Sequence, residues 1–286
     1  MVVHLTLLAD QGRTCRCQRS GVGKQLDEPF ERAGRPALVG LRRLYCCVDL
    51  CHLGTCLGRR GVVEGGARQC AAEVAYLARE PWAVGIMTFG NLDGMLPDHP
   101  YFDPLYRAAQ DTDLPICFHG GTDRPPFAPG RDDVGNNMFM MHLTGHVWHQ
   151  MRVMAAVVGG GLFERYPTLR IGFFEGGISW VPWWAERMDG HYKHFARHTP
   201  HLTRPPSEHM RGERCFYTFD PDEALLPEAM RLIGVSRLMW ASDYPHFDAE
   251  FPDAAELVVN NQRLTADEKR AILADNALRF FRRIQP

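Results

Sequence analysis

Short, unbroken runs of apolar residues recur from residue 84 onward and predict buried strands. Each run has five or six residues, lacks the alternation of a half-exposed strand, and is closed by a glycine or a polar residue. Segments with apolar residues at helical spacing separate the runs. The predicted strands are 84–89, 114–118, 169–174, 215–219 and 237–242, and the predicted helices are 71–79, 103–110, 138–158, 180–195, 222–233, 254–261 and 266–282.

Strands that alternate with helices and are apolar on both faces predict a parallel sheet covered by helices, which is an α/β fold. Two architectures fit this pattern, an open doubly wound sheet and a (β/α)8 barrel of the TIM type. The chain has no G-x-G-x-x-G and no G-x4-G-K-[ST] after a strand, so the marker of the nucleotide-binding open sheet is missing. We therefore favour the barrel.

Composition changes near Cys70 and predicts two regions. Residues 1–70 hold seven of the nine cysteines and 11 Lys/Arg against 6 Asp/Glu, whereas residues 71–286 hold 21 against 28. The N-terminal cysteines lack the paired spacing of a zinc module, and no signal peptide precedes them to favour disulfides. We expect an atypical, Cys/Arg-rich segment at 1–70, with an incomplete set of strands and helices, and a barrel domain at 71–286.

The totals describe a globular chain of 286 residues with 45% hydrophobic and 23% charged residues. No apolar run has the roughly 18 residues that a membrane span needs, and the basic residues are spread without the interleaved aromatics of nucleic-acid binders. We expect a cytoplasmic protein that acts on a small molecule, without nucleic-acid or membrane partners.

Polar residues follow three of the predicted strands. His119, Glu175 and Asp243 each come directly after or at the end of an apolar run, and a pair of glycines follows both His119 and Glu175. In a parallel barrel the carboxyl ends of the strands meet at one mouth. Imidazole and carboxylate groups suit a divalent metal, with zinc as the first expectation, that activates water or polarises a substrate oxygen.

Further candidates flank these positions, each with a structural alternative. His246 follows Asp243 closely and offers a second imidazole, and His146 lies on a predicted helix face with His142 and His149. Arg124 could bind a substrate carboxylate, although its position favours an arginine of a solvated loop. Trp180 could line an aromatic substrate pocket, or pack in the core beneath the helices.

Several segments together resemble the amidohydrolase-2 branch of the metal-dependent amidohydrolase superfamily, which includes aminocarboxymuconate semialdehyde decarboxylase, resorcylate and carboxyvanillate decarboxylases, and related hydrolases. The resemblance extends over about residues 73–284. It rests on D-P-L-Y at 103–106, L-P-I-C-F-H-G-G at 114–121, G-L-F-E-R-Y-P-T-L at 161–169, E-G-G at 175–177, A-S-D-Y-P-H at 241–246 and D-N-A at 275–277.

The resemblance implies a (β/α)8 barrel, a metal-dependent hydrolase or decarboxylase, and a small carboxylated or cyclic substrate. It implies that His119 binds metal and that Asp243 binds metal or handles a proton. From the residues themselves we add Glu175 as a further metal ligand, and we expect Asp243, Glu175 and His246 to act in catalysis. His146, Arg124 and Trp180 are the substrate contacts that the residues themselves suggest, and the family allows a homodimer.

Two departures accompany the resemblance. Glu175 stands where the decarboxylase-type members have a histidine, and the D-x-H-x-H motif of the family's first strand is missing because the chain contains no H-x-H. The rival hypothesis is therefore a metal-free or catalytically impaired barrel that serves as a binding or assembly protein.

Overall fold

The structure is a computed structural model that describes residues 46–49, 66–92, 94–119, 137–243, 246, 249–250 and 252–284. The strands are β1 (Cys46–Asp49), β2 (Ala83–Thr88), β3 (Ile116–His119), β4 (Ile171–Phe174), β5 (Cys215–Phe219) and β6 (Leu238–Trp240). The helices are α1 (Gly66–Leu77), α2 (Asp103–Asp111), α3 (Met138–Met154), α4 (Leu162–Arg165), α5 (Val181–Phe195), α6 (Pro206–Met210), α7 (Leu226–Ile233), α8 (Ala254–Asn260), α9 (Ala266–Arg270) and α10 (Asn276–Phe280).

All the paired strands run parallel, and their spatial order follows the chain, β1-β2-β3-β4-β5-β6. An open doubly wound sheet reverses its order at a switch point, whereas a barrel adds each strand beside the last. The observed order has no such reversal and is consistent with a barrel. Among the described strands, β1 and β6 lie at the edges of the sheet.

The predicted α/β fold with a parallel sheet is confirmed. The bounds of the five predicted strands differ from the observed ones by at most two residues. The strand β1 was not predicted and lies within the cysteine-rich segment, where it pairs with β2. The eight-stranded closure and the boundary near residue 70 stay predictions.

Three helix predictions differ from the structure by four or five residues at one end. The helix predicted at 71–79 is the helix Gly66–Leu77, which begins within the Cys/Arg-rich segment. The helix predicted at 222–233 begins at Leu226, because residues 220–225 form a turn in which Asp220 N donates to the Glu223 carboxylate. The helix predicted at 138–158 passes into a π-helical turn, Ala155–Gly159. The capping box predicted for α9 is present, with Thr265 and Glu268 bonded reciprocally.

Apolar side chains fill both faces of the sheet. The larger core cluster lies between the sheet and the helices and includes Ile116 and Phe118 of β3. The smaller cluster occupies the opposite face, where Phe280 and Phe281 pack on Cys117, Phe174, Phe216 and Met239. On β3, therefore, Ile116 and Phe118 face the helices, while Cys117 and the site residue His119 face the inner side.

Three buried polar contacts tie the last helices to the sheet. Arg170, 2% exposed, donates through Nε to the carbonyl of Phe280 at 2.8 Å and through its terminal nitrogens to Asp113. Asn276 donates to the carbonyls of Val235 and Leu238 at 2.8 and 2.7 Å. The D-N-A motif at 275–277 thus fixes α10 to β6.

No helix in the described part of the chain is long and apolar enough to cross a membrane.

Candidate active site

The ends of β3 and β4 bring His119 and Glu175 into direct contact. His119 is the last residue of β3 and is in register with Phe174 of β4, so Glu175 lies one residue beyond that pair. His119 Nε2 is 2.6 Å from Glu175 Oε2, and the two side chains are 10% and 18% exposed. The strand ends predicted to converge do so, and the separation is that of a charge-assisted hydrogen bond.

The backbone at Glu175 is in the left-handed region, with φ of 57°. Its amide N–H donates to Thr218 Oγ1 of β5 at 2.9 Å, which holds the turn against the next strand. Asp243 also has a left-handed φ, 55°, and Asp113 is the third non-glycine residue of this kind in the described chain. A carboxylate residue in this region costs conformational energy, and such strain clusters at functional sites.

A buried glutamine on α3 connects the two strand ends. The side-chain amide of Gln150, which is fully buried, donates to the carbonyl oxygen of Phe118 at 3.1 Å and to that of Phe174 at 2.6 Å. These are the residues immediately before His119 and Glu175. Gln150 therefore fixes the spacing between β3 and β4 where the site residues emerge.

The loop after Glu175 is held from two sides. The carboxylate of Glu223 accepts hydrogen bonds from the backbone N–H groups of Ile178 and Ser179 at 2.8 Å, and from the Ser179 hydroxyl. The indole N–H of Trp180 donates to the carbonyls of Gly176 and Gly177 at 2.7 and 3.1 Å. The loop that carries Glu175 is therefore preorganised by charge-assisted and indole hydrogen bonds.

Asp243 and His246 complete a cluster with Glu175. One ligand atom from each of the three residues lies within 4.8 Å of the others; Glu175 and Asp243 are partly buried and His246 is exposed. His246 N donates to the carbonyl of Asp243 at 3.0 Å, which keeps the two residues on one turn. His119 contacts this cluster through Glu175.

The cluster fits a divalent cation by spacing and by donor type. Ligand bonds of about 2.0 to 2.2 Å place two donors on one ion roughly 3 to 4.4 Å apart, so the observed separations need only small side-chain adjustments. Two carboxylates and an imidazole are donors that zinc and manganese accept. A cation between the carboxylates would also offset their mutual repulsion in a partly buried site.

The other residues predicted to contact substrate make their contacts outside this cluster. His146 lies on α3, with its ring centroid 4.5 Å from that of His142, and Trp180 holds the glycine loop. Arg124 lies outside the described residues. Phe89, at the end of β2, packs edge to face on the His119 ring at 6.1 Å.

Four supporting residues were not anticipated from the sequence: Phe89, Gln150, Thr218 and Glu223. Their contacts join residues 30 to 45 positions apart in most cases, so no local pattern marks them. The one local signal is Gln150 itself, a polar residue beside buried His149 on a helix face that also carries Val153 and Met154 of the core. A buried polar residue needs hydrogen-bond partners.

The titratable groups with resolved pKa shifts serve packing rather than this site. Burial raises the pKa of Cys215 to about 12, so its thiol is not a nucleophile near neutral pH. Burial, helped by the hydrogen bond to Asp103, raises the pKa of Tyr166 to about 12. The G-L-F-E-R-Y-P motif at 161–167 is therefore structural, with the Tyr166 hydroxyl donating to Asp103 Oδ1 at 2.7 Å.

The chain matches the model of the amidohydrolase family, Amidohydro_2, over residues 56–283. The match covers most of the chain, and the protein belongs to this family. Family members and structural neighbours are enzymes, both amidohydrolases and decarboxylases. No curated protein matches the chain.

Three solved structures illustrate the shared fold. The 5-carboxyvanillate decarboxylase LigW from Sphingomonas paucimobilis matches with a TM-score of 0.66 and 20% identity, covering 90% of this chain and 71% of its own. The 2,6-dihydroxybenzoate decarboxylase from Rhizobium gives 0.64 and 18%, with 91% and 76% covered. A dihydroxybenzoic acid decarboxylase from Polaromonas sp. JS666, with bound manganese and 2-nitroresorcinol, gives 0.60 and 20%, with 76% and 66% covered.

Proposed function

We propose that this protein is a metal-dependent carboxy-lyase that removes CO2 from a small hydroxylated aromatic acid. The observation that carries the proposal is the cluster of Glu175, Asp243 and His246, with ligand atoms within 4.8 Å of one another at the mouth of the sheet. Solved decarboxylases with similar folds supply the reaction class, and two of them hold manganese. Glu175, Asp243 and His246 would hold the ion.

Each residue has a distinct part in this proposal. A bound divalent cation supplies positive charge that stabilises negative charge on a substrate oxygen. Glu175 and Asp243 would act on the anionic substrate through the ion that they hold, while His119 Nε2 lies against the Glu175 carboxylate, where it can hold a proton. The carbon–carbon bond to the carboxylate breaks, CO2 leaves, and the electron pair that stays on the ring carbon takes a proton that His119 Nε2 would supply and solvent would restore. His146, Trp180 and Arg124 remain proposed substrate contacts.

Hydrolysis of a small cyclic ester or amide is the second candidate. Glu175 favours it, because a carboxylate at this strand end can accept a proton from an attacking water, with His119 sharing the charge at 2.6 Å. The missing H-x-H pair favours the third candidate, a metal-free binding protein.

The experiment supplies the full chain with Mn²⁺ or Zn²⁺ and incubates it with 2,6-dihydroxybenzoate, other dihydroxybenzoates and 5-carboxyvanillate. CO2 release is followed in parallel with hydrolysis of aryl lactones and amides. We expect CO2 release that Asp243→Asn lowers at least 100-fold and that Asp222→Asn, an exposed aspartate, leaves unchanged. Lactone hydrolysis without CO2 release would replace the first candidate by the second, and neither product from metal-loaded protein would refute both.

A further inference from the structure

A cavity of about 130 Å³ lies beside the site, between the sheet and helices α1 and α2. The end of β2 and the loop that follows it form one wall, with Phe89 among the lining residues. Ala67 of α1, Tyr101 and Phe102 of the turn Pro100–Phe102, and Leu105 of α2 form the opposite wall. The cavity is separate from the strand-end carboxylates, which do not line it.

The residues that line the cavity favour a neutral ligand. The described lining residues are mainly aliphatic and aromatic, and they include no Asp, Glu, Lys or Arg. A charged molecule would lose its hydration without gaining a partner of opposite charge. Aromatic carboxylates, the substrates of the proposed function, are therefore poor ligands for this cavity.

One hydroxyl group in the wall lacks a hydrogen bond. The Tyr101 hydroxyl is buried and has no hydrogen-bond partner within the described chain, whereas the Tyr106 hydroxyl donates to the carbonyl of Pro97 at 2.9 Å. Buried hydroxyl groups are normally satisfied, and a tyrosine hydroxyl can donate and accept. Because Tyr101 lines the cavity, a small turn of its ring would bring this unsatisfied hydroxyl to an oxygen atom of a ligand.

The size of the cavity fits a ligand with a single six-membered ring. An apolar cavity of about 150 Å³ in a protein core binds benzene. We propose that this cavity is a binding site for a small neutral molecule of one-ring size that carries one hydroxyl or carbonyl group to bond Tyr101. Because Phe89 lines the cavity and packs on His119 at 6.1 Å, such a ligand would sit one side chain away from the site.

The test uses phenol and toluene, which are similar in size and differ in the hydroxyl group, together with benzoate as the charged probe. Each is titrated into the metal-free full chain while methyl signals of Ala67 and Leu105 are followed by NMR, with Ala185 as a buried methyl elsewhere. We expect phenol and toluene to shift the first two signals, and benzoate to leave them unchanged.

The variant Tyr101→Phe isolates the hydroxyl. We expect it to weaken phenol binding about tenfold and to change toluene binding less than twofold, since one hydrogen bond is lost and the apolar walls remain. The control Tyr76→Phe removes an exposed tyrosine hydroxyl and should change neither. Phenol binding that is equal in wild type and Tyr101→Phe, or absent from Ala67 and Leu105, would overturn the proposal. The readout is independent of metal and of activity.

Discussion

His119 Nε2 lies 2.6 Å from Glu175 Oε2, across the ends of two neighbouring parallel strands. The two residues are far apart along the chain, since helices α3 and α4 lie between them. Their contact is therefore a product of the tertiary fold and not of local structure. The contact exists because β3 and β4 are in register at His119 and Phe174, and because the chain turns into the left-handed region at Glu175.

Replacing Gln150 by leucine tests the bridge between the strand ends. Gln150→Leu removes two buried hydrogen bonds and leaves the carbonyls of Phe118 and Phe174 without that donor. We expect a loss of roughly 2 to 3 kcal/mol in the free energy of unfolding, and a divalent-metal affinity about tenfold lower. Urea unfolding and metal titration measure the two effects.

The control for this change is Gln262→Leu. Gln262 is exposed and donates one hydrogen bond to the carbonyl of Asn260 at 3.0 Å, so its loss should alter neither quantity much. Metal affinity that is unchanged in Gln150→Leu would show that the bridge serves stability alone.

Replacing Glu223 by alanine tests the support of the glycine loop. Its carboxylate accepts hydrogen bonds from the backbone of Ile178, Ser179 and Asp220, so Glu223→Ala leaves several N–H groups without an acceptor. We expect a destabilisation of about 3 kcal/mol, measured by urea unfolding. Glu186→Ala, on the exposed face of α5, should cost less than about 0.5 kcal/mol. Equal effects of the two changes would contradict the role given to Glu223.

The indole N–H of Trp180 is tested by Trp180→Phe, which keeps an aromatic ring but removes the donor to Gly176 and Gly177. We expect a loss of about 1 kcal/mol in stability by thermal or urea unfolding. Trp183→Phe is the matched control, because Trp183 is 53% exposed on the same helix. If Trp180→Phe is as stable as the wild type, the indole does not hold the loop.

Acid sensitivity is predicted from the buried pair of His209 and Glu164, whose Nε2 and Oε1 atoms are 3.2 Å apart. Burial, and next the charge of Arg204, lower the pKa of His209 from 6.5, although Glu164 acts in the opposite direction. The unfolded chain therefore takes up this proton first as the pH falls. Stability that is present above pH 6.5 should decrease between about 6.5 and the lower pKa of the folded state.

Glu164 adds a second, more acidic step. Burial would raise the pKa of Glu164, but hydrogen bonds from Thr203 and the charges of His209 and Arg204 outweigh it and lower the pKa from 4.5. Its contribution is present above pH 4.5 and is lost as the pH falls further. The urea midpoint of the wild type should decrease between pH 7.5 and pH 5.5, and this decrease should be smaller in His209→Phe. The control His194→Phe, which changes an exposed histidine, should show the same decrease as the wild type. A pH dependence that survives His209→Phe would contradict this assignment.

The sequence predicted the sheet because each strand is an unbroken apolar run, and it predicted the meeting of His119, Glu175 and Asp243 because parallel strands end at one edge. Strand β1 was missed since four residues, Cys46–Asp49, carry too little pattern to be recognised. Gln150, Thr218 and Glu223 were missed because their partners lie far away along the chain. Hydrogen bonds to backbone carbonyls and amides depend on packing and leave no motif.

The G-L-F-E-R-Y-P segment at 161–167 is a recognisable motif whose role could not be predicted from the sequence. It contributes to the family resemblance, yet Glu164 binds Thr203 and His209, and Tyr166 binds Asp103, and none of these residues belongs to the strand-end cluster. A sequence motif therefore shows that its residues matter to the protein. Only the three-dimensional contacts show whether they matter for folding or for the chemistry of the site.

Metal analysis of the purified full chain tests whether Glu175, Asp243 and His246 hold one divalent cation. Protein produced with added Mn²⁺ or Zn²⁺ should retain about one ion per chain after gel filtration, measured by mass spectrometry. The triple variant Glu175→Gln, Asp243→Asn, His246→Ala should retain less than about a tenth of that, and Asp222→Asn should match the wild type. A wild-type chain without metal, or a triple variant that keeps a full ion, would contradict the account.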